Sequence, residues 1–181
     1  MTKRQILFIH GGGADAYEAD GKLARSLREG LGPDFEVRYP DMNGAAPEYR
    51  AWSVGISGEL SALDGEAILV GHSLGASVLL KYLSEGRVDQ AIAGVFLIAA
   101  PYWGTEDWEV EEFELREDFA TALPQDIPVF LYHSRGDEVV PFAHLELYEA
   151  RLPWATVREV DGRGHQFGDD LSEVAEDIRK L

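Results

Sequence analysis

Gly71-His72-Ser73-Leu74-Gly75 has the form G-x-S-x-G and stands between an aliphatic run, Ala67-Ile68-Leu69-Val70, and a helical pattern from Ser77 to Leu83. A serine on a sharp turn from strand to helix has its hydroxyl exposed, and small neighbours keep such a turn free of clashes. The helix N-terminus beside it favours developing negative charge. This is the setting of a nucleophile, although a plain turn with Ser73 as helix cap would use the same five residues.

A serine hydroxyl is a weak nucleophile and needs a base, itself oriented by an acid. Two loops downstream offer them. Ser134-Arg135-Gly136-Asp137-Glu138-Val139-Val140-Pro141 follows a strand-like run and puts Asp137 at that strand's C-terminal end. Asp161-Gly162-Arg163-Gly164-His165-Gln166-Phe167 follows the next run and holds His165. Glu138 and Asp161 are neighbouring candidates for the acid, and Asp137 could simply close a turn. Of the five histidines, His10 ends a strand, His72 lies inside the elbow, His133 closes a strand and His144 opens a helix. Only His165 follows the acid on the last strand's loop.

Acyl transfer through a serine also needs donors for the oxyanion, and His10-Gly11-Gly12-Gly13 after the first strand can bring backbone N–H groups close to a substrate. The expected donors are the Leu74 and Gly12 amides, with Gly13 as the substitute for Gly12. The same glycines permit another chemistry. Gly11-x-Gly13-x-x-Ala16, with Asp41 ending the next strand, has the outline of a dinucleotide-binding fingerprint. That reading explains the glycines alone, whereas hydrolysis explains the glycines, the elbow and both loops.

The elements that must carry these residues alternate. Strand-like runs at Gln5–His10, Phe35–Tyr39, Glu66–Gly71, Gly94–Ala99, Pro128–His133 and Thr156–Val160 are separated by segments of helical period. That alternation predicts an α/β fold: a parallel sheet of six strands flanked by helices, as one domain over residues 1–181. Tyr49, Trp52, Ser53, Ile56, Leu60 and Leu63 trace one helical stripe, and Leu171, Val174, Ala175, Ile178 and Leu181 another, capped by Asp169 or Asp170. The acidic stretch Glu106–Asp118 breaks the pattern, as short solvated helices or as a small flap over a cleft.

Thirty-three acidic against sixteen basic residues give a net charge of −17, a field that repels phosphates and anionic lipid, so neither nucleic acid nor membrane is an expected partner. No cysteine is present, which excludes a thiol nucleophile and a thiolate metal site. No run approaches the ~18 apolar residues of a membrane span, and a cytoplasmic location is expected. No metal and no cofactor are expected either; oligomeric state is not legible.

Taken together, the strand and loop Leu7–Gly13, the elbow Gly71–Gly75, Ala99-Ala100-Pro101, Gly136-Asp137 with Val140-Pro141, and Gly164-His165-Gln166-Phe167 resemble the α/β-hydrolase superfamily over nearly the whole chain. More narrowly, the chain resembles the small serine hydrolases related to retinoblastoma-binding protein nine and the YdeN-type proteins. The resemblance implies a Ser73-His165-Asp137 triad and carboxylester hydrolysis without a cofactor. It also implies a minimal fold: the first strand takes the place of the third in the full fold, and Tyr102–Ala122 is too short for a large lid. Short acyl esters, thioesters or small amides suit such a site better than long-chain lipids. Trp103, Trp108 and Phe167 are the expected pocket residues. The competing reading is a catalytically vestigial protein that holds a basic partner on its acidic surface.

Overall fold

Each strand alternates its side chains between two separate cores, and that period of two places the sheet in the middle of three layers. The computed structural model describes residues 2–86 and 88–181. Its strands are β1 (Arg4–Ile9), β2 (Phe35–Arg38), β3 (Ala67–His72), β4 (Ile92–Ile98), β5 (Val129–Ser134) and β6 (Thr156–Val160), all parallel, in the order β2-β1-β3-β4-β5-β6. The helices are α1 (Ala16–Leu31), α2 (Tyr49–Ser61), α3 (Leu74–Glu85), α4 (Phe119–Ala122), α5 (Ala143–Arg151) and α6 (Ser172–Arg179).

Ile6 and Phe8 of β1, Ile68 and Val70 of β3, and Phe96 and Ile98 of β4 meet α1 and α6 through Leu23, Leu27, Val174 and Ile178. Leu7, Ile9, Leu69, Val95 and Leu97 face the other way, onto α2, α3 and α5. This is the α/β-hydrolase architecture in minimal form, an open six-stranded parallel sheet with helices on both faces. Among the described residues no helix is long and apolar enough to cross a membrane.

The strand ends differ from the sequence expectation by a residue or two, and pairing explains where. β4 begins at Ile92 instead of Gly94 because Ile92 pairs with Ala67, next to the bond from the Ala67 N–H to the Ala91 carbonyl (2.8 Å). The last helix starts after Asp170, whose Oδ1 accepts the Ser172 N–H at 2.8 Å, so Asp170 and not Asp169 acts at its start. The acidic stretch Glu106–Asp118 has one short helical turn whose glutamates are exposed, and it is docked by its apolar side chains. It holds a Thr105–Trp108 bridge and a single 3₁₀ turn, Glu111–Phe113, with Phe113 buried in the upper core.

The order of the sheet fixes the site. From β1 the chain moves outward to β2, then returns past β1 to build β3 to β6 on the other side. The carboxyl ends of β1 and β3 are therefore the switch point at which open parallel sheets form crevices, and the glycine loop and the serine elbow leave from those two ends. Phe96, fully buried at the sheet centre, tests the lower core. Phe96→Ala is expected to cost roughly 3–5 kcal/mol in urea unfolding, whereas Val54→Ala, at a position 67% exposed, should stay within about 0.5 kcal/mol.

Candidate active site

The elbow is sterically forced. Ser73 takes φ 52°, ψ −123°, and its N–H donates to the Ile98 carbonyl at 2.8 Å. A Cβ on Gly71 would come within 2.6 Å of the Ala76 Cα, and one on Gly75 within 2.3 Å of the Ile9 and His10 carbonyl oxygens. Only glycine fits at either position, and the sharp turn lifts the Ser73 hydroxyl above the sheet.

The structure brings the three sequence-predicted residues together. Ser73 Oγ lies 3.0 Å from His165 Nε2, and His165 Nδ1 lies 2.9 Å from Asp137 Oδ2. The Asp137 carboxylate is fully covered, and its Oδ1 accepts the Val139 and Val140 N–H groups at 2.9 and 2.8 Å. Burial works against its charge, but hydrogen bonds from His133, His165 and the backbone hold the carboxyl well below the usual carboxylate range. It is thus an anion aimed at His165 Nδ1, which selects the tautomer whose free Nε2 faces the serine. Neither alternative acid takes this place. Glu138 Oε2 instead accepts the His165 backbone N–H at 3.0 Å, and Asp161 is exposed.

Of the candidate oxyanion donors, the Leu74 N–H opens α3 with no carbonyl four residues back to receive it. The Gly11 N–H donates to Asp20 Oδ2 (2.8 Å) and the Gly13 N–H to the Gly44 carbonyl (2.7 Å). Gly12 alone in the loop has an N–H without a partner among the described residues, so Gly13 is ruled out as its substitute. The same bonds weaken the dinucleotide outline, because two of the three glycine amides that would cradle a pyrophosphate are already engaged.

Asp20 was not foreseen. It is 2% exposed, and besides Gly11 its carboxylate accepts from Gln166 Nε2 (2.6 Å) and His72 Nδ1 (2.8 Å). His72 Nε2 lies 2.9 Å from the His165 carbonyl oxygen. Both His72 nitrogens thus face acceptors, which requires both to carry protons. Burial opposes that charge, but Asp20 outweighs it and holds His72 above its ordinary value, while His72 in turn outweighs the burial of Asp20 and holds its carboxyl down. The legible signal was an acid on an apolar stripe: Asp20 shares a face of α1 with Leu23, Ala24 and Leu27.

Two clefts meet at Ser73. One, of about 310 Å³, is bordered by Gly12, Ala16, Asp20, His165 and Gln166. The other, of about 270 Å³, is walled by Leu74, Pro47, Trp103, Trp108, Phe113 and Val139. Trp103 and Trp108 therefore lie where they were expected. Phe167 does not: it is 3% exposed in the lower core with α1 and α6, because the turn after His165 drives its ring under the sheet. The aromatic wall is fastened. Trp103 Nε1 donates to Ser77 Oγ (2.9 Å), Lys81 Nζ to the Glu114 carbonyl (2.6 Å), and the Tyr102 N–H to His144 Nδ1 (2.7 Å).

The Asp20–His72 pair has a pH signature. Its stabilisation is in force above the acid range of Asp20 and below the raised value of His72, and it is lost as pH climbs through that value. Asp20→Asn should lower stability at neutral pH by roughly 3 kcal/mol, the low end for breaking a buried pair because His72 can shed its proton. It should also flatten the alkaline decline seen in the wild type. Urea titrations at several pH values check this; equal stability and equal pH dependence would remove the pair from its role.

A search of curated proteins finds no sequence match. Among solved structures, the ydeN gene product of B. subtilis superposes with a TM-score of 0.76 at 21% identity, covering 98% of each chain. Est1E from Butyrivibrio proteoclasticus gives 0.72 at 18% identity, covering 99% of this chain and 86% of that one. The esterase EaEST from Exiguobacterium antarcticum gives 0.72 at 14%, covering 99% and 91%. These likenesses speak to fold. The sequence itself matches the serine hydrolase family over residues 24–169, a span that includes Ser73, Asp137 and His165. The chain belongs to the serine hydrolase family and has the α/β-hydrolase fold.

Proposed function

We propose that this protein is a serine esterase that cleaves small carboxylic esters through an acyl-enzyme intermediate. The observation that carries this reading is the unbroken line from Ser73 Oγ to His165 Nε2 and from His165 Nδ1 to the buried Asp137 carboxylate.

In this mechanism the Ser73 oxygen attacks the acyl carbon while His165 Nε2 takes the hydroxyl proton. Asp137 holds the imidazole and stabilises the cation that forms. The tetrahedral oxyanion is bound by the Leu74 and Gly12 N–H groups, each such donor contributing roughly 3–4 kcal/mol to the transition state. Collapse of the intermediate breaks the bond to the leaving group, which departs with the proton held on His165. Water, activated by the same Nε2, then releases the carboxylic acid and restores Ser73. No cofactor or metal takes part. Thioesters and small amides would pass through the same steps, and the open clefts suit acyl groups of modest size.

A fluorophosphonate probe at neutral pH tests the reading. Wild type should label, and Ser73→Ala and His165→Ala should not. Folded wild type that fails to label would shift the assignment to a binding protein for basic partners. Asp137→Asn should fold, since the amide oxygen can still accept the Val139 and Val140 N–H groups, yet lose on the order of 10⁴ in kcat because the amide favours the wrong histidine tautomer. Full activity in that variant would remove Asp137 from the triad.

A further inference from the structure

The two clefts at Ser73 are chemically unlike, and His165 borders only one of them. A leaving group must lie against His165 Nε2 when the tetrahedral intermediate collapses, because that nitrogen protonates it. His165 borders the 310 Å³ cleft and is absent from the walls of the 270 Å³ cleft. The acyl group, held by its carbonyl between Leu74 and Gly12, must then extend into the second cleft, which contains Leu74. On the serine esterase reading above, we infer that the cleft walled by Trp103, Trp108 and Phe113 takes an apolar acyl group, and that the cleft beside His165 takes a polar leaving group that is neutral or positively charged.

The acyl half follows from the wall. Trp103 packs against Trp108 and Phe113 with ring centroids 5.2 Å from each, and its indole N–H is committed to Ser77, so the walls bring fixed aromatic faces and little hydrogen-bonding capacity. The cleft is of modest size, about 270 Å³, and partly open to solvent, so the expected acyl groups are medium-length chains such as hexanoyl and compact aromatic ones such as phenylacetyl, ahead of acetyl and dodecanoyl.

The leaving-group half follows from charge. Neither lysine nor arginine lines either cleft among the described residues, and the charge of His72, which also borders the cleft beside His165, is balanced by the buried Asp20 carboxylate against it. The first turn of α1 opens on the cleft beside His165, and a helix N-terminus brings about half a positive charge. Asp15 at its cap and Glu18 within the turn set two full negative charges against it. The Gln166 amide oxygen, at the edge of the same cleft, accepts no hydrogen bond among the described residues and suits a hydroxyl or ammonium donor. A phosphate-bearing leaving group, such as that of a nucleotide thioester, would meet repulsion without a partner.

Burst kinetics separate the two halves, because the acyl-enzyme retains only the acyl group. Nitrophenyl esters of acetate, hexanoate, phenylacetate and dodecanoate give the acylation and deacylation rates. Trp108→Ala and Val139→Trp, the second at a position 51% exposed where folding is not at stake, should each change deacylation at least fivefold. Their effects should run in opposite directions, Trp108→Ala favouring longer acids and Val139→Trp shorter ones. Deacylation rates left unchanged in Val139→Trp, with acylation altered, would put the leaving group in the aromatic cleft and overturn the assignment.

Hexanoyl esters of choline, glycerol and 3-sulfopropanol then test charge at physiological salt, where fields are screened beyond about 8 Å. The first two should exceed the third at least tenfold in kcat/KM, and Asp15→Lys/Glu18→Lys should narrow the gap at least threefold. Equal turnover of all three esters, or a gap that the double variant leaves intact, would refute the charge selection. Absence of any burst together with absence of fluorophosphonate labelling would instead defeat the esterase reading itself.

Discussion

A single buried carboxylate holds three loops of the site in register. Asp20 accepts from Gly11 in the loop after β1, from His72 in the elbow and from Gln166 in the loop after β6. Each loop leaves a different strand, so nothing in the sheet's own hydrogen bonding ties them to one another at this height. An anion at this depth is tolerable only because His72 is cationic beside it and every bond is made. His72 then passes the constraint on, donating its second N–H to the His165 carbonyl. His165 is thereby positioned through its backbone from below by His72, at its N–H by Glu138, and through its ring by Asp137. Because Asp20 stands on the face of α1 that buries Leu23, Ala24 and Leu27, the rigidity of the lower core reaches the loops that carry Ser73 and His165, the kind of support that holds a constellation of side chains in place.

The elbow shows the complementary constraint, one of shape. A non-glycine residue in the conformation of Ser73 is strained by about 1–3 kcal/mol, and such a residue persists only where its surroundings over-determine it. Here they do. The Ser73 N–H is bonded to β4, its carbonyl accepts from Ala76 and Ser77, and the closest approach of α3 to β1 is set by the missing side chain of Gly75. The position of Ser73 is thus a consequence of strand order. Placing β3 beside β1 brings the turn into α3 against the glycine loop, so Ser73 and Gly12 border the same clefts.

Much of this was legible from residue types and much was not, for a physical reason. Local patterns carry local consequences: a strand followed by small residues and a helical period reads as an elbow, and a histidine in a glycine-rich turn after a strand reads as a loop residue free to act. Ser73, Asp137 and His165 are of this kind. Asp20 and Gln166 lie 146 residues apart in chain number, and no local pattern joins them; only the sheet's topology does. Phe167 erred in the opposite sense. An aromatic next to the base suggests a pocket, but its positive φ of 53° turns the ring away from the cleft, and no side-chain pattern announces a backbone angle. The acidic stretch reads as solvated because its charges are, while a few residues within it, Trp108 and Phe113 among them, decide where it docks.

The five histidines make the division between support and chemistry explicit, since one residue type is held in different states by its partners. His10 accepts the Met42 N–H at Nε2 and donates from Nδ1 to the Gly11 carbonyl, which fixes it as the neutral form that steers the glycine loop. His144 accepts the Tyr102 N–H, and burial lowers its tendency to protonate, so the aromatic wall keeps its anchor. His133 donates to the Val140 carbonyl and shapes the turn that carries Asp137. His72 is the cation. In each case a backbone group or a buried carboxylate engages at least one ring nitrogen, and in His10 and His72 both. His165 differs in one respect: its Nε2 meets a serine hydroxyl at the edge of a cleft, a partner that can give up its proton to a reaction. What sets His165 apart from the other four histidines is therefore the cleft that its Nε2 faces and the hydroxyl it meets there.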